Sequence, residues 1–241
     1  MSKANDIFAG VERAFYAAKE IAGEGRCLWQ PPYNTGSYES RLAFVYDKLW
    51  SWNEADRACM RLPRKDYIDY FVWEWADTKA KGQPFICLKS RRLIISWLCR
   101  GLELHDAGLS QANQLIAGQT FADAQAHVWR CWYMYDQIQK RNPDWRLDDP
   151  LFYGPMNDGR LDSLILPNGS KISSINQRGE SFRGTGVTGA CCEEGSAYDR
   201  LSNTWGQAVT VCQGSPTSVG GHPTMIANAS PNEEFLELIA A

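Results

Sequence analysis

A segment near the middle of the chain places cations and a hydroxyl between a short apolar run and the start of a helix. It reads FICLKSRRLIISW and spans residues 85–97. Its apolar run, Phe85–Leu88, predicts a strand, and Ser96 and Trp97 open a segment with helical character. Backbone N–H groups at a helix N-terminus, a lysine and a hydroxyl are the groups that bind nucleotide phosphates and Mg²⁺. We therefore predict a phosphate-facing loop, with Lys89 on the β- and γ-phosphates and Ser96 on the metal ion.

The loop departs from the usual phosphate-binding pattern G-x-x-x-x-G-K-[ST]. With Ser96 as the final hydroxyl, Lys89 and Ile94 take the two glycine positions and Ile95 takes that of the lysine. A β-branched residue is strongly disfavoured at positive φ, where glycine is at ease. Considered alone, the segment is more typical of a buried strand followed by an amphipathic helix with two solvated arginines. Two motifs further along the chain favour the nucleotide interpretation.

The first of these motifs is a pair of adjacent carboxylates, about 100 residues downstream. The small and apolar residues of Val187–Cys192 predict a buried strand that ends in Glu193 and Glu194. This is the Walker B arrangement, in which the first acid holds hydrated Mg²⁺ and the second polarises the attacking water. For the pair alone, the alternative is an acidic turn in solvent.

The second motif is TMIANASPN, residues 224–232, which predicts another short strand. We expect this strand beside the other two, with Ser230 and Asn232 directed towards the γ-phosphate. If the motif stood alone, an ordinary Ser-Pro-Asn turn after a strand would account for it.

The elements that must position these residues alternate between strand and helix, as in βαβ units. A helix is predicted from about 66 to 79, a strand, turn and long helix over 114–141, and an edge hairpin over 161–178. We predict an α/β fold of the P-loop (ASCE) type, with a central, mainly parallel sheet flanked by helices. Residues 1–60 are predicted to form an N-terminal helical region, with a helix over 39–60, and residues 61–241 the ATPase domain.

Composition bounds the remaining possibilities. The 241 residues are 44% hydrophobic and 22% charged, which is typical of a globular protein. No stretch approaches the roughly 20 apolar residues of a membrane span. Eight scattered cysteines and three histidines lack zinc-ligand spacing, so we expect reduced, largely buried thiols. A net charge of −3 argues against a uniformly basic surface, although a local basic patch remains open. Its candidate residues are Arg61, Arg64, Lys65, Arg91, Arg92 and Arg100.

The order of these motifs resembles that of the large subunits of tailed-phage terminases, the ATP-driven motors that package double-stranded DNA into procapsids. The resemblance runs from about Leu62 to Glu237. LKSRRLIISW (88–97) looks like the family's deviant Walker A, in which a lysine at the start of the loop replaces the usual one. FRGTGVTGACCEEGSAY (182–198) looks like its arginine-glycine segment, Walker B strand and catalytic acid, and IANASPN (226–232) is similar to its coupling motif.

The resemblance implies a role for each matching residue. Lys89, Ser90, Arg91, Arg92 and Ser96 would contact the nucleotide, and Ser96 and Glu193 would hold Mg²⁺, the latter through water. Glu194 would be the catalytic carboxylate and Arg183 an arginine finger that acts on the neighbouring subunit's nucleotide. Ser230, with Asn232, would couple hydrolysis to DNA movement.

The resemblance also implies ATP and Mg²⁺ as substrate and cofactor. The implied partners are double-stranded DNA, a homo-oligomeric ring on a portal protein and a small terminase subunit, in the cytoplasm of an infected bacterium and away from membranes. The chain ends shortly after the coupling motif, so we expect an isolated motor domain that does not cut DNA. Two alternatives stay open: a helicase-like, nucleic-acid-stimulated ATPase, and a degenerate nucleotide-binding or assembly module whose loop Ile94 and Ile95 have closed.

Overall fold

The computed structural model describes residues 27–53, 56–90, 94–145, 147–153, 160–177, 182, 187–213, 221–228 and 233–240. The helices are α1 (Tyr38–Lys48), α2 (Asp66–Ala80), α3 (Ile95–Leu109), α4 (Phe121–Arg141), α5 (Leu201–Gln213) and α6 (Glu233–Ala240). The strands are β1 (Trp50–Asn53), β2 (Ala58–Arg61), β3 (Phe85–Lys89), β4 (Asn113–Ala117), β5 (Leu151–Tyr153), β6 (Ser163–Ile165), β7 (Lys171–Ile175), β8 (Gly189–Glu193) and β9 (His222–Asn228). None of these helices is long and apolar enough to cross a membrane.

Seven strands form the main sheet in the order β3-β9-β8-β4-β7-β6-β5. Every pair from β3 to β7 is parallel, and β6 is antiparallel to both of its neighbours. The predicted α/β fold with a mainly parallel sheet is therefore confirmed. The prediction that the strand starting near residue 224 lies beside the other two is also confirmed, because β9 pairs with both β3 and β8. Parallel strands share one carboxyl edge, so the ends of all three meet there.

Alternating side chains give the central strands two buried faces. Ile116, Cys191 and Ile226 belong to the larger core with helices α1 to α4, whereas Cys192 and Met225 belong to a second core with α5 and α6. Successive strand residues point to opposite sides of a sheet, and a central strand covered on both sides carries apolar residues at every position. Helices therefore flank the sheet on both faces, as predicted.

The long helix α4 follows β4 after a short turn, as predicted. The hydroxyl of Thr120 accepts from the backbone N–H of Asp123, and the Asp123 carboxylate accepts from the backbone N–H of Thr120 at 3.0 Å. This reciprocal pair is a capping box, which satisfies two backbone donors that a helix start leaves free. The Asp123 carboxylate therefore caps the helix to which it belongs.

The predicted helix over 39–60 is wrong in its second half. α1 ends at Lys48, Leu49 is extended (ψ 136°), and β1 and β2 form an antiparallel hairpin. Trp50 and Trp52 therefore lie on a strand, where Trp52 is exposed and Ser51 is buried. The guanidinium of Arg141 on α4 lies 3.8 Å from the ring centre of Trp50. Contacts with α4 hold this segment as a strand, and such contacts override a local helical pattern.

The hairpin predicted over 161–178 is confirmed as β6 and β7, with a turn in which Gly169 takes a φ of 81°. Its position differs from the prediction, because β7 pairs with β4 and the edge strand is β5. The three-residue β5 has too little pattern to be predicted. The predicted N-terminal helix lies outside the described residues.

Candidate nucleotide-binding site

The last residues of three neighbouring strands meet at the carboxyl edge of the sheet. Lys89 ends β3, Asn228 ends β9 and Glu193 ends β8. The Lys89 Nζ donates to Oδ1 of Asn228 at 3.3 Å, and Nδ2 of Asn228 donates to Oε1 of Glu194 at 3.4 Å. Residues 139 and 34 positions apart in the sequence are thereby linked through one amide. The predicted phosphate lysine and the predicted catalytic carboxylate belong to one cluster.

The start of α3 brings a hydroxyl into the same cluster. Ser96, in the first turn of α3, donates to Oε1 of Glu193 across 97 positions of sequence. Ile94, directly before the helix, has φ −72° and ψ 10°. This negative φ is open to a β-branched residue. The backbone at Ile94 therefore needs no glycine, which removes the steric objection raised by the sequence pattern.

Glu194 follows β8 in a left-handed conformation, with φ 57° and ψ 37°. A residue other than glycine costs roughly 1–3 kcal/mol in such a region and is retained where the surroundings hold it in place. The next residue, Gly195, is buried, and a Cβ there would lie 2.9 Å from Cγ and Sδ of Met225. The strand therefore ends in a tight, strained turn at the residue predicted to be catalytic.

The charges of the site are largely removed from solvent. Lys89 is 8% exposed and Glu193 is 1% exposed. Within the described part of the chain no carboxylate forms an ion pair with Lys89, which instead meets the neutral amide of Asn228. A buried ammonium without a counter-charge is costly, so it favours an anionic ligand. Ser90 follows β3 and is exposed.

Two oxygen ligands suited to a hard cation lie at this edge. The Ser96 hydroxyl donates to Oε1 of Glu193, so a hydroxyl oxygen and a carboxylate oxygen lie side by side. Mg²⁺ takes oxygen ligands and usually keeps several waters, with one or two protein carboxylates and substrate phosphates. The two side chains therefore fit a magnesium ion that a nucleotide would share.

A layer of buried polar groups lies behind Glu193. Arg100 on α3 is completely buried, and its Nη2 lies 3.7 Å from Oε2 of Glu193, 2.9 Å from Oε1 of Glu103 and 2.8 Å from Sγ of Cys191. Burial by itself would lower the pKa of Arg100, but its neighbours, Cys191 and Glu103 first, raise that pKa well above the ordinary value. Burial raises the pKa of Glu103 to about 7, against the opposing effect of Arg100.

Arg100 was predicted for a surface basic patch, and this prediction is wrong. The sequence did contain a signal: Leu98, Cys99, Gly101 and Leu102 surround it, and a helix that is apolar on all sides is a buried one. Asn228 lay inside the recognised IANASPN motif without being assigned a role.

His127 on α4 also faces the site and was not predicted. Its Nε2 lies 4.0 Å from Oε1 of Glu193, and Nη1 of Arg130 donates to its Nδ1 at 2.9 Å. Burial and then Arg130 hold the pKa of His127 well below its usual value. Because a guanidinium can only donate, Nδ1 is the acceptor and the neutral ring carries its proton on Nε2.

Cys99, Glu103 and Cys191 come close enough together to suggest a metal site, but a cation already lies among them. Their ligand atoms are within 4.8 Å of one another. Nη2 of Arg100 contacts all three, with Cys99 Sγ at 3.1 Å. The guanidinium is therefore the cation of this cluster. None of the eight cysteines, all of which lie in the described ranges, forms a disulfide, and five of them are buried.

Several predicted residues have no described surroundings. Arg91, Arg92, Arg183, Ser230 and Asn232 lie outside the described residues.

The remaining candidates for the surface basic patch, Arg61, Arg64 and Lys65, are exposed. Arg61 donates to the carbonyl oxygens of Tyr46 and Asp47, and the guanidinium of Arg64 lies 4.7 Å from the ring centre of Tyr46. Their roles in ligand binding stay predictions.

Solved structures of large terminases are similar in fold to this chain. The crystal structure of the HK97 bacteriophage large terminase matches with a TM-score of 0.52 and 16% sequence identity, over 79% of this chain and 37% of that one. The large terminase ATPase domain of Thermus phage P74-26 matches with a TM-score of 0.46 and 12% identity, over 65% of this chain and 63% of that one. The chain spans less than two thirds of the length of either protein. No protein-family model and no curated protein matches the sequence. The chain has the P-loop fold of large terminase ATPase domains, as the sequence resemblance predicted.

Proposed function

We propose that this chain is the ATPase motor of a phage DNA-packaging terminase, which hydrolyses ATP to move double-stranded DNA into a procapsid. The observation that carries the proposal is the meeting of Lys89, Ser96, Glu193 and Glu194 at the carboxyl ends of neighbouring parallel strands. These four positions were predicted from separate motifs. A lysine, a hydroxyl and two carboxylates are the groups that phosphoryl transfer to water requires.

In the proposed reaction, Lys89 meets the negative charge of the β- and γ-phosphates and replaces its contact with the Asn228 amide. Ser96 and Glu193 hold Mg²⁺, which when bound neutralises phosphate charge that grows in the transition state. Glu194 accepts a hydrogen bond from the attacking water and orients it in line with the γ-phosphate. The strained turn fixes the direction in which this carboxylate projects.

Asn228 supplies a direct connection between the two functions of the site. Its Oδ1 accepts from Lys89 and its Nδ2 donates to Glu194. When Lys89 engages a phosphate, Asn228 is released from one partner while it still holds the other. We therefore assign to Asn228 the alignment of Glu194 once nucleotide is bound.

The other components of the motor follow from the resemblance alone. Arg91 and Arg92 would add phosphate contacts, and Arg183 would act on the nucleotide of a neighbouring subunit. An arginine supplied in this way can be worth ~10³–10⁵ in rate, so an isolated subunit would hydrolyse ATP slowly. Ser230 and Asn232 would relay hydrolysis to DNA, within a homo-oligomeric ring that docks on a portal protein and works with a small terminase subunit.

Calorimetric titration of the chain with ATP and Mg²⁺ tests the proposal. We expect binding that is lost in Lys89→Ala and retained in Glu194→Ala, while Glu194→Ala abolishes hydrolysis. Lys81→Ala is the matched control, because Lys81 pairs with Asp77 on the surface, away from this edge. The absence of binding at millimolar ATP, both for the free chain and for an assembled ring, would contradict the proposal and support a closed, purely structural loop. Stimulation of hydrolysis by double-stranded rather than single-stranded DNA would separate a packaging motor from a helicase-like ATPase.

A further inference from the structure

The two oxygens of Glu193 have different surroundings. Oε1 faces the site, where it accepts from Ser96, and Oε2 faces inwards, 3.7 Å from Nη2 of Arg100. Arg100 and His127 are the basic groups within 4.0 Å of this carboxylate in the described ranges. Arg100 is the one of the two that lies against the inner oxygen, Oε2, whereas His127 lies nearer to Oε1. The buried carboxylate thus has its metal-facing side in the site and its counter-charge behind it.

Arg100 has unused donors that point to a role beyond its pair with Glu103. Its Nε and Nη1 are buried and donate to no described residue, and Oε2 of Glu103 and Oε2 of Glu193 are both unpartnered in the same sense. A structural ion pair at full burial is expected to satisfy these groups, since each buried polar group left unpaired is destabilising. The guanidinium therefore stands between two carboxylates, bonded to one and close to the other.

We propose that Arg100 is a positioning residue for the metal site, which holds the Glu193 carboxylate from behind so that its outer oxygen can receive hydrated Mg²⁺. This inference rests on the proposed function. Partners of this kind orient metal-binding side chains, and their loss typically costs 10–100-fold in metal affinity. Without Arg100, Glu193 would be a buried charge without a compensating neighbour, free to turn away from Ser96.

The test measures metal affinity rather than turnover. Mn²⁺ binding to the full chain in the presence of ADP is followed by electron paramagnetic resonance for the wild type, Arg100→Met, Arg100→Gln and Arg100→Lys. We expect Mn²⁺ affinity to fall about 10–100-fold in the Met and Gln variants and less in the Lys variant, which keeps the charge. Metal-free binding of ADP, which depends on Lys89, is expected to be unchanged.

Arg41→Met is the matched control. Arg41 is also a buried arginine that pairs with a carboxylate of α3, Asp106, at 2.7 Å. We expect its replacement to lower the melting temperature without changing Mn²⁺ affinity. This control separates positioning of the metal ligand from a general loss of stability.

The Mn²⁺ affinities of the variants decide the inference. If Arg100→Met binds Mn²⁺ as tightly as the wild type, or if Arg41→Met weakens Mn²⁺ binding equally, the inference is overturned and the proposed function is untouched. If Arg100→Met does not fold, Arg100→Gln decides, because its amide removes the charge but still offers N–H donors. A wild-type chain without nucleotide-dependent Mn²⁺ binding would overturn the proposed function, and this inference would fall with it.

Discussion

Two residues other than glycine hold left-handed backbone conformations in the described part of the chain, and they differ in location. Glu194 lies in the candidate site, and Arg57 (φ 48°) lies in the turn between β1 and β2. Strain of this kind is often stored where function needs a fixed side chain. Comparison of the two positions therefore separates strain that serves the site from strain of an ordinary turn.

We expect Glu194→Gly to raise stability by about 1 kcal/mol, because glycine adopts positive φ without strain. For a chain of this size, that gain corresponds to about 2–4 °C in melting temperature. Hydrolysis of ATP is expected to be lost. Arg57→Gly should bring a similar thermal gain and leave hydrolysis unchanged, and Glu194→Ala should lose hydrolysis without the gain. Thermal melts and phosphate release measure both effects, and a Glu194→Gly variant less stable than Glu194→Ala would contradict the strain assignment.

At this scale the sequence predicted four of the side chains that meet at the carboxyl edge of the sheet, but not the polar groups packed behind them. Lys89, Ser96, Glu193 and Glu194 were found because each ends a strand or opens a helix, where a motif is visible. Arg100 and His127 were not predicted because ionisable residues are usually exposed. Their positions also depend on contacts between α3, α4 and β8, which are distant in the sequence. The backbone at Ile94 could not be predicted either, since φ at a helix start is set by the entry of the chain.

At the scale of elements, two helix glycines differ in how closely a neighbouring element packs against them. Gly108, near the end of α3, lies against the indole of Trp29, and a Cβ there would fall 2.1 Å from ring atom Cε2. Gly206, in the middle of α5, is exposed with open space around it. The first glycine is required by close approach of two elements, whereas the second only weakens its helix.

Alanine at these two positions should therefore change stability in opposite directions. Gly206→Ala is expected to stabilise the fold by roughly 0.5–1 kcal/mol, because alanine loses less conformational freedom in a helix. Gly108→Ala is expected to destabilise it by about 1–3 kcal/mol through overpacking against a ring that cannot move far. Urea unfolding of both variants beside the wild type measures the difference. A gain in stability in both variants would show that packing around Trp29 is looser than described.

Elements with a strong local signal were predicted well. β3, β8 and β9 are apolar runs that end in polar residues, and α4 has a capping box at its start. The hairpin of β1 and β2 was missed because the helical pattern of the preceding residues was continued through Trp50 and Trp52, although a spacing of two is the alternation of a strand and not of one helix face. Contact with α4, which lies far along the sequence, decides between the two. Long-range contacts likewise bring β5 to the edge of the sheet.

At the scale of the whole molecule, buried titratable groups divide between the two edges of the sheet. Arg100 and Glu103 lie behind the candidate site, whereas His222 begins β9 at the opposite edge, where its Nε2 lies 3.1 Å from Oγ1 of Thr78. Burial, with Lys79 adding to it, lowers the pKa of His222 to about 3. The fold therefore keeps this ring neutral at pH values where an unfolded chain protonates it.

This difference makes the protein sensitive to acid. Between pH 6.5 and 3, His222 binds a proton in the unfolded state but not in the folded state. The free energy of unfolding therefore falls by about 1.4 kcal/mol for each unit by which the pH is lowered. His127, whose pKa is also lowered, acts in the same direction. Glu103 acts in the opposite direction: with its pKa raised to about 7 in the fold, it favours the folded state as pH falls from 7 to about 4.3. Two histidines outweigh one glutamate, so the net slope is a loss of stability towards acid.

We expect the free energy of unfolding, measured with urea at a series of pH values, to be highest near pH 6.5. In His222→Gln the slope between pH 6 and 4 should be smaller by about one proton, or about 1.4 kcal/mol per pH unit, because glutamine does not titrate. Thr78→Val is the control for loss of the hydrogen bond alone: it should lower stability by a similar amount at every pH and leave the slope intact. If the pH dependence of the free energy of unfolding were unchanged in His222→Gln, the ring would take up its proton inside the folded protein. Burial of His222 at the amino ends of the strands would then not limit stability in acid.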